Sequence, residues 1–157
     1  MVQCTPLGIC SWSFRLEGEG HGGVTELNSF GESGVVLVDG VSMAVQKLSF
    51  LTGEWQVRAG GMKVASAFKP SALLRFIEGE GPSGNFTLEA QSAISRVMLL
   101  RMGDGGQLQI SPVHPFTRRA SIQGEFHDFT TVCFGFWLTA MLWRRAASNH
   151  RGVAGHS

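Results

Sequence analysis

Charge is scarce in this chain, and what there is nearly cancels: 13 basic against 12 acidic residues in 157, a formal net charge of +1. No whole-molecule field draws it to nucleic acid or an anionic bilayer, so any such binding needs a local patch and no nucleic-acid partner is expected. Cysteine is scarcer still. Cys4, Cys10 and Cys133 are an odd set without a Cys-x-x-Cys pair, which argues against a disulfide scaffold or a zinc ribbon. His21, His114, His127, His150 and His156 are scattered, none four residues from another, so no metal site is expected. No Ser-His-Asp or Cys-His arrangement has local support, which favours a non-enzymatic chain without a cofactor. The first ten residues lack a basic stretch and a long apolar run, so the expected compartment is the reducing cytoplasm. Proline is low as well, 5 against 21 glycines, a balance that points to tight turns and short strands rather than disorder.

What is present is one long apolar stretch. From Phe129 to Trp143 there is no charge; Asp128 stands before it as an N-cap, and Arg144 and Arg145 close it where cations suit a helix dipole. A helix over about residues 128–146 is expected. Apolar residues occupy all its sides, so it needs covering by protein or by lipid. Fifteen residues fall short of the roughly twenty a bilayer crossing takes, which favours a buried core helix with Phe134, Gly135, Trp137, Leu138 and Met141 as its axis. The alternative is a short C-terminal membrane anchor. Residues 1–9 are expected to be poorly ordered, 10–147 to form one domain, and 148–157 to be a flexible polar tail.

The rest of the chain reads as strands. Cys10, Trp12, Phe14 and Leu16 alternate with polar residues at the period of a half-buried strand. Asp39-Gly40 separates two apolar runs as a type I′ hairpin turn would. Gly60-Gly61 and the glycine-rich residues 103–106 mark two more hairpins. Residues 88–102 fit helix and strand alike, and the turn that follows favours a strand over 95–101. A loose repeat also runs through the chain: residues 15–23 resemble 75–84, residues 35–40 resemble 97–105, and 53–55 resemble 124–126.

Both copies of the first repeat satisfy G-x-G-x-x-G, at Gly18, Gly20, Gly23 and at Gly79, Gly81, Gly84. That makes nucleotide binding a minor alternative, weakened by Glu19 and Glu80, which would set carboxylates beside a pyrophosphate. Glu17, Glu19, Glu78 and Glu80 read either as calcium ligands or an acid/base pair, or as the solvated end of a strand, the commoner arrangement. Lys63, Lys69, Arg118 and Arg119 lie near hydroxyl and turn residues such as Ser66, Ser71, Thr117 and Ser121. They are candidates to hold lipid phosphates, the plainer reading being the wet face of a strand.

The succession of Trp55-Gln56-Val57, Lys63-Val64-Ala65, Phe86-Thr87-Leu88, Arg96-Val97-Met98, His114-Pro115-Phe116 with Arg118-Arg119, and the closing apolar stretch resembles the tubby C-terminal-like superfamily, which includes phospholipid scramblases and LURP-one-related proteins. The resemblance implies a mainly β fold, a closed antiparallel barrel threaded by a hydrophobic C-terminal helix. It also implies association with membrane phospholipid, anionic lipid being the expected partner and a position peripheral to the membrane the expected location. A protein-interaction or structural domain without ligand is the alternative.

Overall fold

The computed structural model describes residues 1–9, 11–49 and 53–154, the side chains of 150–154 excepted. The strands are β1 (Val2–Pro6), β2 (Phe14–Gly18), β3 (His21–Leu27), β4 (Gly34–Val38), β5 (Val41–Lys47), β6 (Gly53–Ala59), β7 (Met62–Lys69), β8 (Phe76–Gly81), β9 (Gly84–Ala90), β10 (Met98–Met102), β11 (Gln107–Pro112) and β12 (Ala120–Glu125), followed by helix α1 (Phe129–Ala154). Each strand pairs antiparallel with its sequence neighbours. β1 also pairs with β12, through Val2↔Ile122, Gln3↔Ser121 and Cys4↔Ala120, so the sheet closes and leaves no free edge. The closed barrel expected from the sequence is the one observed.

The alternation that makes these segments strands also divides the wall. Phe14, Leu16, Val36, Trp55, Ile77, Leu88, Leu100 and Ile110 point inward and are buried, while Arg15, Glu17, Glu78, Glu80 and Arg101 face out. Twelve strands about 4.8 Å apart and tilted near 40° close a ring roughly 24 Å across. After the inward side chains are placed, that ring still admits a helix about 10 Å wide.

The helix fills it. Asp128 caps α1, its carboxylate accepting the Thr131 N–H at 3.3 Å and the Ser83 hydroxyl at 3.1 Å. Every residue from Thr131 to Trp143 is buried, the axis residues Phe134, Gly135, Trp137, Leu138 and Met141 among them. The helix packs closest to β3 and β4, and small inward residues there are the reason. A Cβ on Gly34 would stand 2.9 Å from Trp137 Nε1, which donates to the Glu26 carbonyl at 2.9 Å. Across the helix, Gly135 makes room for Leu100, whose Cδ2 would lie 2.8 Å from an added Cβ. Phe14 meets Phe136 edge-on at 4.9 Å and Phe86 meets Phe134 edge-on at 6.0 Å, so rings fill the space between wall and helix.

Several expectations need correction. Residues 1–9 are not a loose leader: Val2 and Cys4 are buried, and β1 is the strand that closes the barrel. The helix does not stop near residue 146 but runs to Ala154, so most of the expected tail is helical, and 155–157 lie outside the described residues. Among the described residues no helix is long and apolar enough to cross a membrane, and the apolar surface of α1 is covered by the barrel, which overturns the C-terminal anchor. The first alternation yields a strand only from Phe14; Cys10 lies outside the described residues. Of the repeat, residues 15–23 and 75–84 form the β2–β3 and β8–β9 hairpins, six strands apart, and 35–40 and 97–105 match β4 and β10 with their turns. The third pair fails, since residues 53–55 begin β6 at one end of the barrel and 124–126 finish β12 at the other.

Candidate functional site

Up-and-down connectivity gives the barrel two unlike ends. At one, the turn rim, β2–β3, β4–β5, β6–β7 and β8–β9 are joined by two residues each, and α1 begins there. Turn chemistry fixes this rim: Asp39 and Gly40 have φ of 47° and 87°, as a type I′ turn needs. The Asp39 carboxylate accepts the Gly22 N–H at 2.9 Å and lies 2.7 Å from His21 Nδ1. Those bonds, that of Gly22 first, hold its carboxyl below the usual range. Glu17, Glu19, Asp104, Glu125 and Asp128 share this end with Arg58 and Lys63.

At the other end, the loop rim, α1 emerges among six longer connections: residues 7–13, 28–33, 48–52, 70–75, 91–97 and 113–119. Five of these present a large apolar side chain almost wholly to solvent. Ile9 is 97% exposed, Phe30 93%, Leu73 93%, Ile94 95% and Phe116 92%. Such residues ordinarily help to build a core, and their recurrence at one end sets that end apart from a surface with singly scattered hydrophobes.

Cations are interleaved with these tips. Lys47, Lys69, Arg75, Arg96, Arg118, Arg119, Arg144 and Arg145 belong to the same rim. Among the described loop residues Glu32 is the one carboxylate, and it is engaged by Lys47 at 2.7 Å and Arg145 at 2.5 Å. Burial works to raise the Glu32 carboxyl, but the hydrogen bonds from Arg145 and Lys47 outweigh it and hold the carboxyl below its usual range. Glu26, Glu54 and Glu89 also stand at this end, one residue in from their strand termini, but among the described residues none forms an ion pair with these cations, Glu89 being paired with Arg101. Most of the cations have no ion-pair partner among the described residues: Arg75 spends its guanidinium on the carbonyls of Ser92, Ala93 and Ser95 at 2.6–2.8 Å, and Lys69 donates to the Ser71 carbonyl. Burial and then the nearby Arg145 lower the Lys69 ammonium below its ordinary value, a sign of crowded positive charge.

The four basic residues singled out in the sequence are split by this arrangement. Lys69, Arg118 and Arg119 fall on the loop rim; Lys63, beside the Gly60-Gly61 turn, falls on the opposite one. Sequence reasoning missed Lys47, Arg75, Arg96 and Arg144, and all five tips. A partial signal existed: three of the six loop-rim connections pair an apolar residue with an arginine, Leu73 with Arg75, Ile94 with Arg96 and Phe116 with Arg118.

Other candidates are weaker. The two G-x-G-x-x-G copies open onto strands β3 and β9 rather than onto helices of their own, and the α1 N-terminus at the same rim is already capped by the Asp128 carboxylate, which would repel a pyrophosphate. Glu17, Glu19, Glu78 and Glu80 are exposed, and no cluster of metal-ligating residues occurs among the described residues. Cys4 and Cys133 are buried free thiols whose pKa burial pushes up, which suits core packing and not nucleophilic work. No protein-family model, curated protein or solved structure matches the chain.

Proposed function

We propose that this protein is a non-enzymatic module that lies peripherally on membranes, its loop rim set against anionic phospholipid. The observation that carries the reading is the coincidence, at one end of a closed barrel, of five exposed apolar tips with cations that mostly lack an ion-pair partner among the described residues. Burying an Ile, Leu or Phe side chain is worth about 1.5–3 kcal/mol, and each cation near an anionic leaflet about 1 kcal/mol. Several weak contacts of both kinds suffice for reversible binding, with the helix shielded in the barrel and the turn rim facing water. The reading also takes up the lipid association that the resemblance to the tubby C-terminal-like superfamily implies. Co-sedimentation with phosphatidylcholine vesicles containing increasing phosphatidylserine tests it. Binding should rise with anionic content and weaken with salt. Protein left in the supernatant at every composition would overturn it and favour a protein-interaction role for the rim.

A further inference from the structure

Between the loop of residues 113–119, the loop of residues 7–13 and the emerging helix lies a cavity of about 240 Å³. Its walls include Arg96, Arg118 and Arg144 together with Trp12, Thr117 and Ser148, and no carboxylate. Three guanidiniums around one small space repel one another, and nothing in the walls answers their charge. A group of opposite charge is the missing component.

Each arginine is held in place by something other than an acid. Arg118 lies over the Trp12 ring at 4.3 Å and donates to the Ser11 carbonyl at 2.5 Å. Arg144 donates to the carbonyls of Asn28, at 2.5 Å, and Gly31. Burial lowers its pKa, Glu32 pulls against that shift, and Arg145 adds to it. Arg96 stands over the Trp143 ring at 5.4 Å, and its guanidinium has no hydrogen-bond or ion-pair partner among the described residues. A guanidinium carries five N–H donors, so all three keep spare ones, and Thr117 and Ser148 add hydroxyls. Planar forks on fixed supports suit the tetrahedral oxygens of a phosphate better than the single oxygens of a neutral ligand.

We infer that this cavity is a phosphate-binding subsite that takes a phosphomonoester dianion. The source is either a lipid headgroup with a terminal phosphate or a free phosphate. The lipid form rests on the membrane reading above; the site itself does not. Its place on the rim, beside the exposed Phe116, would let one molecule engage headgroup phosphate and acyl region together.

The test uses the full chain, its Arg96→Gln and Arg118→Gln variants, and two sets of probes. Vesicles of phosphatidylcholine with phosphatidic acid, which bears a monoester, are compared with phosphatidylserine vesicles matched in surface charge. Inorganic phosphate is titrated separately, the arginine Nε–H signals being read by NMR. The site predicts a loss of phosphatidic acid binding in either variant that exceeds the roughly fivefold loss on phosphatidylserine expected for any one rim cation by a further factor on the order of ten, since a charge-assisted bond contributes about 1.5–3 kcal/mol. Arg96→Gln is the decisive variant, because its guanidinium makes no hydrogen bond or ion pair among the described residues and only stacks on Trp143, so the fold should keep its melting temperature. Perturbation of Arg96 and Arg118 by inorganic phosphate without vesicle binding would uphold the site and sink its lipid source. Equal binding to both lipids, lowered equally in the variants, would sink the site and leave the membrane reading standing. No response to either probe set overturns both.

Discussion

The turn rim and the loop rim are built from the same twelve strands, yet they obey different constraints. At the turn rim, three of the four two-residue connections, Glu19-Gly20, Asp39-Gly40 and Gly60-Gly61, sit at positive φ, and Val41 and Met62, 55% and 74% exposed, are its main exposed apolar positions besides Met1. At the loop rim the connections are longer, the helix must leave, and the residues released from turn geometry are apolar and basic. The comparison teaches that closure of the barrel and stability of the core are settled by the wall and helix, which leaves the loop rim available for function.

The largest expected effect erases both rims together. A chain ending at Phe126 lacks the helix, and the inward side chains of β2–β12 then face an empty lumen; circular dichroism should find no cooperative melt. Trp137→Ala keeps the helix but opens a cavity and strips the Glu26 carbonyl of its donor, costing about 3–5 kcal/mol by chemical denaturation. If either protein melted like the parent, the threaded barrel would be wrong.

The next effect separates the rims. Replacing Ile9, Phe30 and Phe116 by Ser should reduce affinity for phosphatidylserine vesicles by about a thousandfold or more, while Val41→Ser with Met62→Ser should leave it unchanged. Melting temperature should stay put in both sets, because all five side chains are exposed. Equal losses in the two sets would remove the distinction.

Charge gives a smaller version of the same contrast. Arg119→Gln on the loop rim should lower vesicle affinity about fivefold, and Lys63→Gln on the turn rim should do nothing measurable. Acid probes the loop rim from inside. Glu32 has a folded pKa below its unfolded value, so the stability it supplies is complete above about pH 4.3 and is lost as pH falls through the lowered pKa. Below about pH 4 the melting temperature should therefore fall less steeply with decreasing pH in Glu32→Gln than in the parent protein.

How far these features could be read from the residues depended on how local their cause is. The Asp39-Gly40 and Gly60-Gly61 turns and the capping by Asp128 rest on neighbours in sequence, and each is present. The helix interior announced itself through fifteen uncharged residues. Its far end did not, because residues 148–151 are polar and show no apolar stripe once α1 has left the barrel. β1 was missed for another reason: a five-residue strand ending in Pro6 offers only Val2 and Cys4 as inward positions, and its pairing with β12 joins residues more than a hundred apart. In the ambiguous stretch 88–102, β9 ends at Ala90 and β10 starts at Met98, so a loop divides what looked like one periodic segment. The loop rim was the least legible. Lys63 and Lys69 are six residues apart in one strand and belong to opposite ends, whereas Arg96, Arg118 and Arg144 are far apart in sequence and share one cavity. Only closure of the sheet brings them together.

The central claim, that the loop rim and not the turn rim meets the bilayer, is tested most directly by depth. Nitroxide labels placed at Phe116→Cys on one rim and at Met62→Cys on the other, in a Cys10→Ser background, report contact with oxygen in the acyl region or with a nickel chelate in water; Cys4 and Cys133 are buried and should not react. On phosphatidylserine-containing vesicles the label at 116 should become accessible to oxygen and shielded from nickel, with the label at 62 unchanged from solution. The reverse pattern, or two labels that respond alike, would contradict the account.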